Sequence, residues 1–144
     1  MTGDHVVLDD ALLLEWLVGD LDTGGDQVAT TGSWWFRLTR ALLRSGDGVL
    51  ARRMAAAPEH ARRRLFEDVL QLPGTVAVLH PRQTVPVAAG LSAAHGLNLL
   101  AADALATAHV LGGRLLVSAA DDGPRLRATA ASLGIAYRAV ASSR

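Results

Sequence analysis

Short apolar segments alternate with stretches of helical periodicity along this chain, and this alternation is what most restricts its fold. The apolar segments are rich in Val, Leu and Ala, and turn-forming residues bound them; they cover residues 5–8, 28–31, 75–79, 114–118 and 135–140. Strands separated by helices form βαβ units, in which a mostly parallel sheet is buried between helical layers. The pattern therefore predicts an α/β fold with three α/β/α layers on a mostly parallel sheet of roughly five strands.

The stretches between the apolar segments predict amphipathic helices with recognisable ends. In residues 34–44, apolar side chains recur at intervals of three and four, and Arg37, Arg40 and Arg44 form a stripe on another face. Ser33 is the predicted N-cap of this helix, and Pro86 is predicted near the start of a later one. The other predicted helices cover residues 11–18, a short piece ending near residue 57, and residues 58–70, 86–95, 98–111 and 121–132.

Length and composition restrict the class of protein. With 144 residues the chain fits one domain, predicted to span residues 1–144. No apolar run reaches the length of a membrane span, and the amino terminus has no secretory signal. We therefore expect a cytoplasmic protein that does not enter a membrane. Cysteine is absent, so any metal must be held by oxygen or imidazole ligands.

Acidic residues follow the predicted strands at the edge of the sheet where ligands collect. Asp9 and Asp10 come after the first strand, Asp121 and Asp122 follow the fourth, and Asp103 lies in the helix between. Carboxylates brought together repel one another unless a cation neutralises them, and oxygen ligands suit Mg²⁺ or Mn²⁺. The sequence thus indicates a candidate site for a divalent metal.

The same acidic residues also have structural explanations. Asp10, Asp121 and Asp122 can cap helices, and Asp103 can pair with an arginine. For Asp121 and Asp122, capping is the simpler role. Asp9 follows a buried strand directly, so its carboxylate needs polar partners at the sheet edge, and this favours membership of the site.

Four segments of the chain together resemble a known family. They are residues 6–14, which end the first strand in Asp9, residues 101–106 around Asp103, residues 113–122 from Gly113 to Asp122, and residues 133–135. These segments resemble the PIN-domain family, which includes the ribonuclease toxins of VapBC toxin–antitoxin pairs. In that family an Asp ends the first strand, a later helix carries Asp before Ala and Leu, and the next strand runs into Thr/Ser-x-Asp.

The resemblance implies roles for particular residues. It implies that Asp9, Asp103 and Asp121 are catalytic, and that these three together with Asp122 hold Mg²⁺ or Mn²⁺. Asp10 and Ser118 would support the site. Two departures make this acidic site incomplete. The usual spacing would place the last acid at Ala120, and residues 34–37 occupy the place of a family glutamate, so metal binding is expected to be weak or absent.

The function that the resemblance implies is a Mg²⁺- or Mn²⁺-dependent endoribonuclease of toxin–antitoxin type with an incomplete acidic site. The alternative is a catalytically inactive PIN-like module that binds RNA or a protein partner. A doubly wound domain for another ligand is a third reading, but no phosphate-binding glycine loop follows the first strand.

The expected partners follow from the same residues. Arg37, Arg40 and Arg44 could contact RNA phosphates, although such stripes are more often solvated. An antitoxin protein is a further possible partner. The apolar helix around Trp16 and the aromatic cluster of Trp34, Trp35 and Phe36 favour a homodimer.

Overall fold

The computed structural model describes residues 4–44 and 55–141. In these two ranges the chain forms five strands and six helices, which alternate for most of its length. The strands are β1 (His5–Leu8), β2 (Gln27–Thr30), β3 (Ala77–Val78), β4 (Arg114–Ser118) and β5 (Tyr137–Val140), and the helices are α1 (Asp10–Leu17), α2 (Gly32–Leu43), α3 (Glu59–Leu70), α4 (Pro81–His95), α5 (Leu99–Leu111) and α6 (Pro124–Ser132).

The five strands form one sheet in the order β3-β2-β1-β4-β5, and every neighbouring pair is parallel. In the register of the central strand, Val6 pairs with Val28 of β2 on one side and with Arg114 of β4 on the other. The predicted fold class, a PIN-like three-layer α/β/α arrangement on a roughly five-stranded, mostly parallel sheet, is confirmed.

Alternating side chains of β1 supply two separate hydrophobic cores. Val7 packs with residues of α4, α5 and α6 on one face of the sheet, whereas Val6 and Leu8 pack with α1 and α3 on the other. Both faces are covered because successive side chains of a strand point in opposite directions. Helix α2 joins the two layers, since Trp34 belongs to the first core and Leu38 to the second.

Some predicted boundaries differ from the structure. Helix α4 begins at Pro81 rather than near Pro86, because the side chain of His80 accepts a hydrogen bond from the backbone N–H of Arg82 and Pro81 occupies the first turn. The N-cap of α2 is Thr31, whose hydroxyl accepts from the N–H of Trp34, and Ser33 lies inside the helix. The predicted short helical piece ending near residue 57 falls largely outside the described residues.

Among residues 4–44 and 55–141, none of the helices combines the length and apolarity that crossing a bilayer requires.

A close backbone contact between the two central strands gives a first test of the fold. A Cβ on Gly113 would lie 2.6 Å from the backbone oxygen of His5, whereas a Cβ on Gly123 would meet nothing within 4 Å. We expect Gly113→Ala to lower the free energy of unfolding by about 1–3 kcal/mol, because β1 and β4 must separate to admit the methyl group.

Urea unfolding followed by circular dichroism measures this change. Gly74→Ala, in an exposed turn where a Cβ would also meet nothing within 4 Å, is the matched control and should stay within about 0.5 kcal/mol of the wild type. Equal stability of the two variants would contradict the close pairing of β1 and β4 at this point.

Candidate acidic site

The candidate site lies beside β1, where the order of the strands changes direction. Strands β2 and β3 lie on one side of β1, and β4 and β5, which come later in the chain, lie on the other side. In open parallel sheets this topological switch point leaves a crevice beyond the carboxyl ends of the two central strands. Asp9 directly follows β1, and Asp121 lies in the turn after β4.

Asp9 is completely buried and hydrogen-bonded at both carboxylate oxygens. Its Oδ1 accepts from the backbone N–H of Leu12 at 2.9 Å, so Asp9 is the N-cap of α1. Its Oδ2 accepts from the backbone N–H of Ser118 at 2.7 Å and from the Ser118 hydroxyl at 2.6 Å. The carboxylate therefore joins the end of β1 to the end of β4.

The protonation of Asp9 is shifted by its surroundings. Burial first, and the hydrogen bond with the neighbouring Asp121 carboxyl second, raise the pKa of Asp9 to about 7, while the donors Ser118 and Leu12 oppose this rise. Burial favours the neutral form of a carboxyl because the charged form loses its hydration. Without a bound cation, Asp9 therefore keeps its proton up to near neutral pH.

Asp10 and Asp121 share a single arginine. The Arg37 guanidinium binds both oxygens of Asp10, with Nε at 2.6 Å from Oδ2 and Nη2 at 2.7 Å from Oδ1, and Nη2 also donates to Asp121. These carboxylates raise the pKa of Arg37, so the guanidinium stays charged. Helix α2 thereby places a fixed cation beside the acidic residues.

Oxygens of Asp9, Asp10 and Asp121 lie within 4.8 Å of one another. With all three ionised and Arg37 charged, the group carries a net charge of −2, which a divalent cation would neutralise. An oxygen-only ligand set with a few carboxylates suits Mg²⁺ or Mn²⁺, with waters completing the coordination. The acidic triad can therefore bind a metal ion.

The turn after β4 separates the two adjacent aspartates. The backbone N–H groups of Asp121 and Asp122 both donate to the carbonyl of Ser118, each at 3.1 Å. Asp121 then joins Asp9 and Asp10. Asp122 instead accepts from the Tyr137 hydroxyl at 2.6 Å and from Arg127 at 2.7 and 2.8 Å, and these donors lower the pKa of Asp122.

Asp103, which the resemblance placed in the metal set, lies outside the group formed by Asp9, Asp10 and Asp121, as does Asp122. The Ser33 hydroxyl donates to Oδ2 of Asp103 at 2.7 Å, and Asp103 lines a separate cleft beside α4. The turn that brings Asp121 to Asp9 places the last acid one residue later than Ala120, where the usual spacing predicts it.

Two relationships in the site were not predicted from the sequence. The arginine stripe suggested that Arg37 contacts RNA, but its bridge from Asp10 to Asp121 was not foreseen; Arg40 and Arg44 are exposed on α2. The available signal was an arginine in the segment where the family has a glutamate. Ser33 was predicted as a cap rather than as the partner of Asp103.

The fold of this chain has a counterpart among solved structures. No protein-family model matches the sequence, and no curated protein matches it. The chain is similar in structure to a chain of a toxin–antitoxin complex from Klebsiella pneumoniae, with 16% sequence identity and a TM-score of 0.50. The match covers 77% of this chain and 83% of the other. A likeness at this identity shows the fold alone.

The raised pKa of Asp9 predicts an unusual dependence of stability on pH. As pH rises from about 4 to about 7, the unfolded chain loses this proton first and the folded chain keeps it, so the free energy of unfolding falls. We expect a fall of about 2–4 kcal/mol in the absence of divalent metal. Asp9→Asn should flatten the curve, because the amide does not titrate.

Urea unfolding in EDTA at several pH values between 4 and 8 measures this effect. Asp122→Asn is the matched control, because the pKa of Asp122 is lowered and its titration falls below this range. The control should keep the wild-type slope. Parallel curves for the wild type and Asp9→Asn would contradict the assignment.

Proposed function

We propose that this protein is a PIN-like, Mg²⁺- or Mn²⁺-dependent endoribonuclease of toxin–antitoxin type. The observation that carries the proposal is the convergence of Asp9, Asp10 and Asp121 at the switch point, with a net charge of −2 once Arg37 is counted. A bound divalent ion would supply the activation of water and the stabilisation of negative charge that phosphodiester hydrolysis requires.

Asp9 and Asp121 are the proposed principal metal ligands. Leu12 and Ser118 fix both oxygens of Asp9, and Oδ1 of Asp9, which accepts one hydrogen bond, keeps a lone pair for a metal ion. The side chain of Asp121 is 11% exposed. Ser118 supports the site by holding Asp9 in this orientation. In this proposal the ligand set is Asp9, Asp10 and Asp121, without Asp103 or Asp122.

Arg37 has two proposed roles. It neutralises part of the repulsion between Asp10 and Asp121, a task that a cation must perform wherever carboxylates cluster. Its side chain is also 36% exposed, so the guanidinium can donate hydrogen bonds to a phosphate of the substrate from the solvent side. In a chain without a glutamate in this segment, this arginine reduces the net charge of the ionised acidic site from −3 to −2.

A non-catalytic function is the second candidate. The observation in its favour is that Arg37 already binds both oxygens of Asp10 and one of Asp121. A guanidinium held there competes with a metal ion for the same oxygens. If it prevails at cellular metal concentrations, the protein is a PIN-like module that binds RNA or a protein partner without turnover.

The proposed setting is the cytoplasm, with an antitoxin protein as partner. Support comes from the likeness to a chain of a toxin–antitoxin complex. We also propose a homodimer through the layer of α1 and α3, because Val18 after α1 and Leu70 at the end of α3 expose 45% and 39% of their surface. Light scattering should give about twice the monomer mass, and a mass near 15.1 kDa would contradict the dimer.

Metal binding and RNA cleavage together decide between the two candidates. Calorimetric titration with Mn²⁺ should show saturable binding that Asp121→Asn abolishes. Arg37→Gln should bind Mn²⁺ about tenfold more tightly, because a competing positive charge is removed from the ligand oxygens. Asp122→Asn is the control with unchanged affinity, since its carboxylate lies outside the triad.

The same variants are then assayed on a labelled pool of single-stranded RNA. We expect Mn²⁺-dependent cleavage by the wild type, at least a hundredfold loss in Asp121→Asn, and near wild-type rates in Asp122→Asn. Metal binding without cleavage would favour the non-catalytic module. No saturable Mn²⁺ binding in either the wild type or Arg37→Gln would contradict the metal-dependent proposal.

A further inference from the structure

A cleft of about 470 Å³ lies between α4, α5 and the first turn of α2. Its walls are mainly aliphatic and include Val85, Ala88 and Leu99, and Asp103 is the one charged side chain among the described residues that line it. The cleft is also lined by five hydroxyl-bearing residues, Thr31, Ser33, Thr84, Ser92 and Thr107. A cavity of this volume with mainly apolar walls and a few polar groups is typical of a site for a small organic group.

The Asp103 carboxylate has unused acceptor capacity in this cleft. Within residues 4–44 and 55–141, its hydrogen-bond donor is the Ser33 hydroxyl, which binds Oδ2 at 2.7 Å. A carboxylate beside apolar walls is stabilised when further donors reach it. The second oxygen and the remaining lone pair of Oδ2 together suit two adjacent N–H donors on a ligand.

A second groove adjoins the cleft and reaches Arg37, the residue that bridges two acids of the acidic site. That groove shares Gly32, Ser33 and Leu99 with the cleft, and it extends along α2 to Phe36, Arg37 and Arg40. Phe36 exposes 66% of its surface, and Arg37 is the residue that bridges Asp10 and Asp121. An exposed aromatic ring with arginines on the same helix is a surface on which a single-stranded nucleic acid can stack and bind.

We propose that the Asp103 cleft is a nucleobase subsite for single-stranded RNA and that it selects guanine. This inference rests on the proposed function, since it names the substrate feature that lies next to the acidic site. Guanine presents N1–H and its 2-amino group side by side, so both can donate to the Asp103 carboxylate, and the aliphatic walls enclose the ring.

The other bases satisfy Asp103 less well. Adenine and cytosine offer an amino group beside a ring nitrogen that is an acceptor, and uracil offers one N–H between two carbonyl oxygens. Each of these bases brings an acceptor atom toward the carboxylate. A carboxylate placed to accept two N–H hydrogen bonds discriminates strongly against such ligands. Asp103 is therefore the proposed specificity residue of the substrate site.

An arginine side chain of a partner protein also carries paired N–H donors. Arg40 of the adjoining groove favours RNA over this occupant, because its side chain is exposed to the solvent. Its guanidinium attracts a phosphate of RNA and repels a cationic peptide, whereas Arg37 is already paired with Asp10 and Asp121.

The test is a titration of the full-length ¹⁵N-labelled protein in EDTA with 5′-GMP, 5′-AMP, 5′-CMP and 5′-UMP, followed by amide chemical shifts. GMP should bind about tenfold more tightly than the other three and shift Gly32, Ser33, Ala102 and Asp103. Asp103→Asn should reduce the preference to within about threefold, because the amide replaces an acceptor by a donor.

Two further variants keep the result unambiguous. Asp122→Asn should retain the preference for GMP, and Ala89→Phe, at an exposed position that lines the cleft, should weaken GMP binding by blocking the space. Equal affinity for the four nucleotides, shifts away from the cleft, or an unchanged preference in Asp103→Asn would overturn the proposal. Tighter binding of N-acetyl-arginine amide than of GMP would overturn it in favour of a protein partner.

These measurements are independent of turnover, because EDTA removes the metal. A guanine preference in a protein that does not cleave RNA would support the subsite and contradict the nuclease. Cleavage of RNA without a guanine preference would support the nuclease and contradict the subsite.

Discussion

The buried carboxylate of Asp9 is the interaction on which the rest of the site depends. It receives three hydrogen bonds, from the N–H of Leu12 and from the N–H and hydroxyl of Ser118, at a point where solvent has no access. Removing a carboxylate from water is costly unless such donors replace the lost hydration. The two central strands and α1 are thus held in one arrangement, because displacing any of them would leave this charge without partners.

The positions of the other acidic residues follow from that arrangement. Asp10 starts α1 directly after Asp9, and Asp121 follows Ser118 in a turn that the Ser118 carbonyl closes. The carboxylates repel one another, and Arg37 of α2 reduces this repulsion by binding both Asp10 and Asp121. Arg37 is one response to this excess of negative charge, and a divalent ion would be another. The raised pKa of Asp9 comes first from its burial and then from the Asp121 carboxyl.

Sequence reasoning succeeded where a side chain's position follows directly from the strand that precedes it. Asp9 was placed at the sheet edge because an acid directly after a buried strand of a parallel sheet lies at the carboxyl edge of that sheet. It was less successful with helical residues. Asp103 was grouped with the other acids, but the orientation of α5 against α2 directs it to Ser33 and to a separate cleft.

The sequence by itself determined the fold class, because alternating strand and helix patterns with strands buried on both faces allow few arrangements other than a layered parallel sheet. It also determined that acidic side chains collect at one edge of that sheet. Only the tertiary structure decided which of Asp121 and Asp122 joins Asp9, and that Arg37 bridges the acids. These arrangements depend on one turn and on the packing of α2. The contacts of Arg37 with Asp10 and Asp121 join residues 27 and 84 positions apart, and such contacts produce no periodic pattern in the sequence.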